Sequence, residues 1–268
     1  MRAMWVACVL LGLSSTIAAA EKLPGSLTVH GQGNIRTAWL SQPTKRYRHG
    51  VFGKAVEAGG LTVITHDGVE LTLTLPDTAV FEDREPRLVD LNGDGRDEII
   101  LVKSTLDKGA ALVIAGVQNG QLNILAEGAP FGYAHRWLNP VGTGDFDGDG
   151  QIELAYVETP HIGGTLRILR WAGDKLVEVY AQPGFSNHKY GTRELGLSGV
   201  LDTNQDGIKD LIVPDAARRT LRMVTFANGV FKDLRTIALP VPLQKLYTQP
   251  NALILTLSNG ETKNVRFQ

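Results

Sequence analysis

The chain has one cysteine, Cys8, and it falls within the first twenty residues, so the sequence beyond holds no thiol for a disulfide or a nucleophile. Beyond residue 20 there is also no run of about 20 apolar residues, which excludes a membrane-spanning helix there. Neither sign of charge dominates: 27 Lys plus Arg stand against 28 Asp plus Glu, for a net charge of −1. The dense positive field of a nucleic-acid partner is therefore not expected. G-x-S-x-G, G-x-x-x-x-G-K-[ST] and H-E-x-x-H are absent, and "GLSGV" at 196–200 lacks the spacing of a nucleophile elbow. Stability must come from an apolar core, with bound metals as the one further source.

What is present begins with "MRAMWVACVLLGLSSTIAAA", which combines Arg2, an apolar run from Trp5 to Leu13, and Ala18 and Ala20 around a cleavage point. This predicts a signal peptide over residues 1–20, with Cys8 placed too early for lipid attachment. A single domain over 21–268 is then periplasmic or secreted.

Three segments repeat: "DLNGDGRDE" at 90–98, "DFDGDGQIE" at 145–153 and "DTNQDGIKD" at 202–210. Their spacings of 55 and 57 residues mark a repeat architecture, with units near 84–138, 139–195 and 196–248. Each acidic loop leads into a β-rich run, "EIILV", "ELAYV" or "DLIVP". A strand pair follows, in which Leu112, Leu166 and Leu221 align and the turns fall at Asn119-Gly120, Gly173-Asp174 and Asn228-Gly229. Two more hairpins, turning at Asp67-Gly68 and Asn259-Gly260, lack the acidic loop.

The expectation is an all-β propeller of five four-stranded antiparallel blades. The last unit is short of a strand, and Ser26–Gly31 is expected to supply it by pairing the N- and C-terminal strands, leaving no open edge. An incomplete or differently closed ring, with a sixth degenerate unit inside 21–60, stays open.

Calcium takes six to eight oxygens, and alternate positions of a tight loop converge on one centre. Asp90, Asn92, Asp94, the Arg96 carbonyl and Glu98 occupy positions 1, 3, 5, 7 and 9 of the first loop. Asp145, Asp147, Asp149, the Gln151 carbonyl and Glu153 do so in the second, and Asp202, Asn204, Asp206, the Ile208 carbonyl and Asp210 in the third. An EF-hand needs glutamate at position 12, where this chain has Leu101, Tyr156 and Val213 in strand-like runs. About three Ca²⁺ sites follow, each expected to pin two strands of a blade.

On these loops the chain resembles the FG-GAP or VCBS repeat family, which includes the head of integrin α chains and many exported bacterial proteins. The resemblance covers roughly residues 84–240 and implies a calcium-binding propeller with a binding role, without naming a ligand.

The opposite ends of the blades carry "KRYRHG" (45–50), "EDREPR" (82–87), "GYAHRW" (132–137), "ETPHIGG" (158–164) and "SNHKYG" (186–191). Propeller geometry would gather these into one mouth. Arg48, Arg84, Arg136 and Lys189 would form a cationic ring, and Tyr47, Trp137 and Tyr190 flat platforms. His49, His135, His161 and His188 stand among them. The expected partner is a protein or a carbohydrate or anionic ligand. The rival is that the aromatics plug gaps between blades and the charges are solvated. A transition metal on the histidines is a lesser alternative. So is a hydrolase or lyase acting on a polyanionic or glycan substrate, with Glu82, Glu158 or Glu194 beside a histidine. A purely structural envelope protein is the third reading.

Overall fold

A computed structural model describes residues 19–267. The expected signal peptide lies outside the described residues apart from Ala19 and Ala20. Val-, Ile- and Leu-rich runs broken by Gly, Asn and Asp favour strands over helices. The one helical element among the described residues is a single 3₁₀ turn at Ala227–Gly229. None is a helix long and apolar enough to cross a membrane.

The strands group into consecutive units. The first holds β1 (Val29–His30), β2 (Ile35–Thr44), β3 (Glu57–Thr65) and β4 (Glu70–Thr74), and β5 (Ala79–Phe81) links it to the second. The second comprises β6 (Arg87–Val89), β7 (Glu98–Thr105), β8 (Gly109–Gln118) and β9 (Gln121–Glu127). The third comprises β10 (Leu138–Gly144), β11 (Glu153–Glu158), β12 (Thr165–Ala172) and β13 (Lys175–Pro183). The fourth is β14 (Gly199–Leu201), β15 (Asp210–Pro214), β16 (Thr220–Thr225) and β17 (Lys232–Ala238), and the last has only β18 (Leu243–Gln249), β19 (Ala252–Leu257) and β20 (Thr262–Arg266). Within each unit successive strands pair antiparallel, and first strands of successive units lie side by side, β1 with β6, β10 with β14 and β14 with β18. The architecture is all-β and propeller-like.

Repetition extends to irregularities. β8, β12 and β16 each shift register against their outer partner just after Ile114, Ile168 and Met223, two residues beyond the aligned leucines. At Asn119-Gly120 both residues have positive φ, 51° and 74°, as a two-residue type I′ turn requires. Central strands such as β7 are buried on both faces and read as unbroken apolar runs, whereas outer strands such as β4 alternate.

Four apolar cores hold neighbouring units together. Leu61 meets Ile99 and Leu101 between the first two; Ile100 meets Leu138 and Tyr156 between the next; Phe146 and Val157 meet Leu211 and Val213; Ile212 and Met223 meet Leu246 and Leu255. Truncating one of the fully buried members to alanine costs about 2–5 kcal/mol.

Among the described residues no fifth apolar core joins the last unit to the first. The last unit is short of a strand as expected, but the N-terminal segment does not supply it. Val29–His30 pairs with β2, the Leu23 N–H donates to the Leu40 carbonyl, and Ser26 Oγ accepts the Leu40 N–H. The cause is packing: Leu23 is buried in the first core, which fixes this stretch along β2. β20 is left with β19 as its one strand partner.

Candidate functional sites: the acidic loops and the histidine mouth

The three acidic loops join β6 to β7, β10 to β11 and β14 to β15, and they share one hydrogen-bonding scheme. The first aspartate accepts the N–H of the position-6 glycine: Asp90 from Gly95 (2.8 Å), Asp145 from Gly150 (2.9 Å) and Asp202 from Gly207 (2.9 Å). Position 5 accepts the N–H of position 7, seen at Arg96, Gln151 and Ile208. The closing acids Glu98, Glu153 and Asp210 are buried and accept the N–H of position 2, from Leu91, Phe146 and Thr203. Backbone donors thus hold the carboxylates of all three loops in the same turn of chain.

Burial raises the carboxyl pKa of Glu98, Glu153 and Asp210, and neighbouring loop aspartates push the same way. Asp210 Oδ1 is buried without a hydrogen-bond partner. A hard divalent cation would relieve these costs, so Asp90, Asn92, Asp94 and Glu98, and likewise Asp202, Asn204, Asp206 and Asp210, fit calcium by donor chemistry. The middle loop differs. Asp145, Asp147 and Asp149 bring ligand oxygens within 4.8 Å of one another, but Arg170 reaches in from β12. Its Nη2 lies 2.7 Å from Glu153 Oε1, 2.8 Å from Asp147 Oδ2 and 3.1 Å from Asp149 Oδ2. Arg170 pairs with Glu153 across the ladder, where the second unit has Gly116 opposite Glu98. The sequence shows this arginine, but only strand register reveals where it points.

The other end of the blades gathers residues far apart in the chain. A cavity of about 150 Å³ is lined by His49, His135, Arg136, Trp137, His161 and Tyr190, with Thr159 and Ile162 at its side. His161 stacks on Trp137 at 5.8 Å between ring centroids and 7° between planes, and His49 lies 5.2 Å from His135. Tyr47 is buried beneath, its hydroxyl accepting the His135 N–H, and burial lifts its pKa to about 12.

The hydrogen bonds assign protons. His188 Nε2 lies 3.1 Å from the Thr192 carbonyl, which only accepts, so Nε2 carries the proton and Nδ1 accepts. His161 Nε2 sits 2.7 Å from that Nδ1 and donates to it, which leaves His161 Nδ1 unprotonated. Burial lowers the pKa of His161 to about 4 and of the fully buried His188 to about 3, so both are neutral at pH 7. Below the cavity, His49 Nδ1 lies 2.6 Å from Glu82 Oε1, and Ser104 Oγ donates to the other oxygen at 2.7 Å. Burial pushes the Glu82 pKa up, against the pull of His49. Glu57, also buried, carries an unpartnered Oε2 nearby and has its pKa raised by burial and by Glu82.

The four histidines therefore meet, but the cationic ring does not form. Of Arg48, Arg84, Arg136 and Lys189, Arg136 alone lines this cavity. Arg48 folds onto the Lys45 carbonyl, Arg84 turns toward Gly25, and Lys189 lines a separate cavity. Of the three carboxylates expected beside a histidine, Glu82 is in place. Glu158 pairs with Arg167, and Glu194 bonds the Gly196 N–H. Glu57 and Ser104 were unmarked in sequence because their partners come from other strands. The histidines do not form a ready metal centre: among the described residues only the Asp145 cluster brings three ligand atoms together.

No curated protein matches the chain. Among solved structures, the chain is similar to a candidate 6-phosphogluconolactonase from Bacteroides fragilis NCTC 9343, at 14% identity over 90% of this chain and 70% of that one with a TM-score of 0.43. It is similar also to BamB from Moraxella catarrhalis, at 12% identity over 91% and 67% with a TM-score of 0.44. Residues 90–156, from the first acidic loop to the strand that leaves the second, match the FG-GAP-like repeat family.

Proposed function

We propose that the protein is an exported, five-bladed, calcium-stabilised binding module that holds its ligand at the histidine mouth. The reading rests on one observation: separate connections bring His49, His135, His161, Trp137 and Tyr190 to a single cavity. The imidazoles offer hydrogen-bonding nitrogens, that of His161 being held neutral by burial, and the Trp137 and Tyr190 rings offer faces. That chemistry suits a sugar ring or a small polar group of a larger partner, with Arg136 available to an anion. Calcium at the opposite loops stiffens the blades and does not touch the ligand.

Binding to an array of bacterial glycans and acidic peptides tests this. Tyr190→Ala and His161→Ala should abolish captured signal, while Asp202→Ala should lower thermal stability and leave affinity unchanged once the protein is folded. Signal that survives both mouth variants overturns the assignment.

A second reading has its own support. The buried Glu82 orients His49 through Nδ1, which leaves His49 Nε2 as the nitrogen available for general-base work in a hydrolase or lyase. A cavity of about 150 Å³ is small for an enclosed substrate, which favours the binding role. Turnover of a polyanionic glycan that His49→Asn abolishes would reverse that order.

A further inference from the structure

Beside the mouth, on the far side of Phe52, lies a larger cavity of about 620 Å³. Phe52 divides the two, its ring edge-on to Trp137 and to His188. One side of the larger cavity is apolar, from Leu23, Pro24, Phe52 and Val56, and the other carries Lys54, Arg84 and Arg193. Five arginines of the described chain, Arg46, Arg87, Arg167, Arg170 and Arg222, each have a carboxylate within ion-pair distance. Arg84 and Arg193 have none among the described residues. Both instead donate to a single carbonyl, that of Gly25, at 3.1 and 3.2 Å, and Arg84 also donates to the Arg193 carbonyl.

Two guanidinium groups sharing one acceptor stand side by side, and like charges so placed repel. Arg84 Nε is buried and unpartnered, and burial together with Arg193 lowers the Arg84 pKa. Asp83 also borders the cavity, but its oxygens are taken by Arg87 and by the Arg84 and Val102 N–H groups. Glu85 and Glu194 lie near enough to act on Arg84 through space, without a hydrogen bond to it.

We propose that this cavity is a second binding site, for a phosphate or carboxylate group carried on an apolar body. The anion lies between the Arg84 and Arg193 forks, which suit such groups geometrically, with Lys54 adding charge. The body covers Leu23, Pro24, Phe52 and Val56. The site does not depend on the mouth reading, since it shares no polar residue with it.

Calorimetric titration with n-hexyl phosphate and hexanoate, against hexylamine and inorganic phosphate as controls, tests both halves. At least one of the two anionic amphiphiles should bind, hexylamine should not, and inorganic phosphate should bind at least several-fold more weakly. The exposed Arg193→Gln should cost about tenfold in affinity while melting as wild type does, and Lys54→Gln a few-fold. Equal binding of hexylamine, unchanged affinity in Arg193→Gln, or no binding of either anion at millimolar concentration overturns the proposal. Arg84→Gln provides a second variant, compared by affinity at a temperature where its melt shows it folded. Hexyl phosphate binding while hexanoate does not assigns the site to phosphates, and the reverse to carboxylates.

Discussion

The two ends of the blades meet the same problem, a carboxylate buried away from water, and compensate it differently. At the loop end the solution is local and repeated: Glu98, Glu153 and Asp210 each take an N–H from a residue seven positions back. At the mouth it is assembled once from afar, Glu82 being held by His49 from the connection between β2 and β3 and by Ser104 from β7. A repeated local device tolerates exchange of one copy for another. A device assembled once does not, and it is the more specific marker of a site.

Within the loop end the middle copy breaks the pattern, and removing Arg170 should have the largest effect. Arg170→Ala leaves the fully buried Glu153 facing Asp147 and Asp149 without a counter-charge, which should cost roughly 3–5 kcal/mol in chelator. Millimolar calcium should restore much of that loss, because the emptied loop then has the donor set of its neighbours. A denaturation midpoint that falls equally with and without calcium would show that the loop is no cation site even when Arg170 is gone.

The unaltered protein supplies the next test. With Arg170 in place the middle loop competes poorly for calcium, so calorimetry should count two ions per chain and Arg170→Ala three, at affinities on the order of 10⁻⁴ to 10⁻³ M for extracellular modules. Chelation should lower the melting temperature by several degrees, and Asp202→Ala should remove more of that response than Asp145→Ala. Three ions on the unaltered chain would mean that Arg170 swings aside.

At the mouth the comparison is sharpened by pH. His161 and His188 have pKa values lowered to about 4 and about 3, below the ordinary 6.5, so between pH 6.5 and 4 the unfolded chain binds more protons than the folded one. Their contribution is complete above pH 6.5 and is lost as pH falls through that window. Glu57, Glu82 and the loop acids, with raised pKa values, act in the opposite sense as pH rises. His161→Phe keeps the stack on Trp137 and should shrink the stability loss between pH 7 and 5 by roughly 1–2 kcal/mol, read from urea midpoints. An unchanged loss would mean that the pair protonates freely in the native state.

The same contrast explains what could be read from the amino-acid order. The loop spacing, the aligned leucines and the Asn-Gly turns are local signals that recur, and the repeated strand units follow from them. The meeting of the four histidines followed from topology, because connections at one end of such units must approach each other. Side-chain direction did not follow. Arg84 and Lys189 sit in mouth segments yet turn away, since Arg84 finds carbonyl acceptors at Gly25 and Arg193 that no local pattern announces. The N-terminal strand lies along β2 and not beside β20 for a related reason: Leu23 fits the first core, and that packing outweighs the unsatisfied edge of β20.

The smallest effect belongs to Tyr190, and it separates holding the fold from holding a ligand. Its ring is 55% exposed and stands near His49 and His161, and its hydroxyl donates to the His49 carbonyl at 3.1 Å. Tyr190→Phe removes that one exposed bond and should shift stability by no more than about 0.5–1 kcal/mol. Tyr190→Ala strips the cavity wall but exposes little new core, so its melt should stay within a few degrees of Tyr190→Phe while mouth binding disappears. Should the alanine variant unfold instead, the mouth would be a structural plug between blades, and the two ends of the molecule would share a purely structural role.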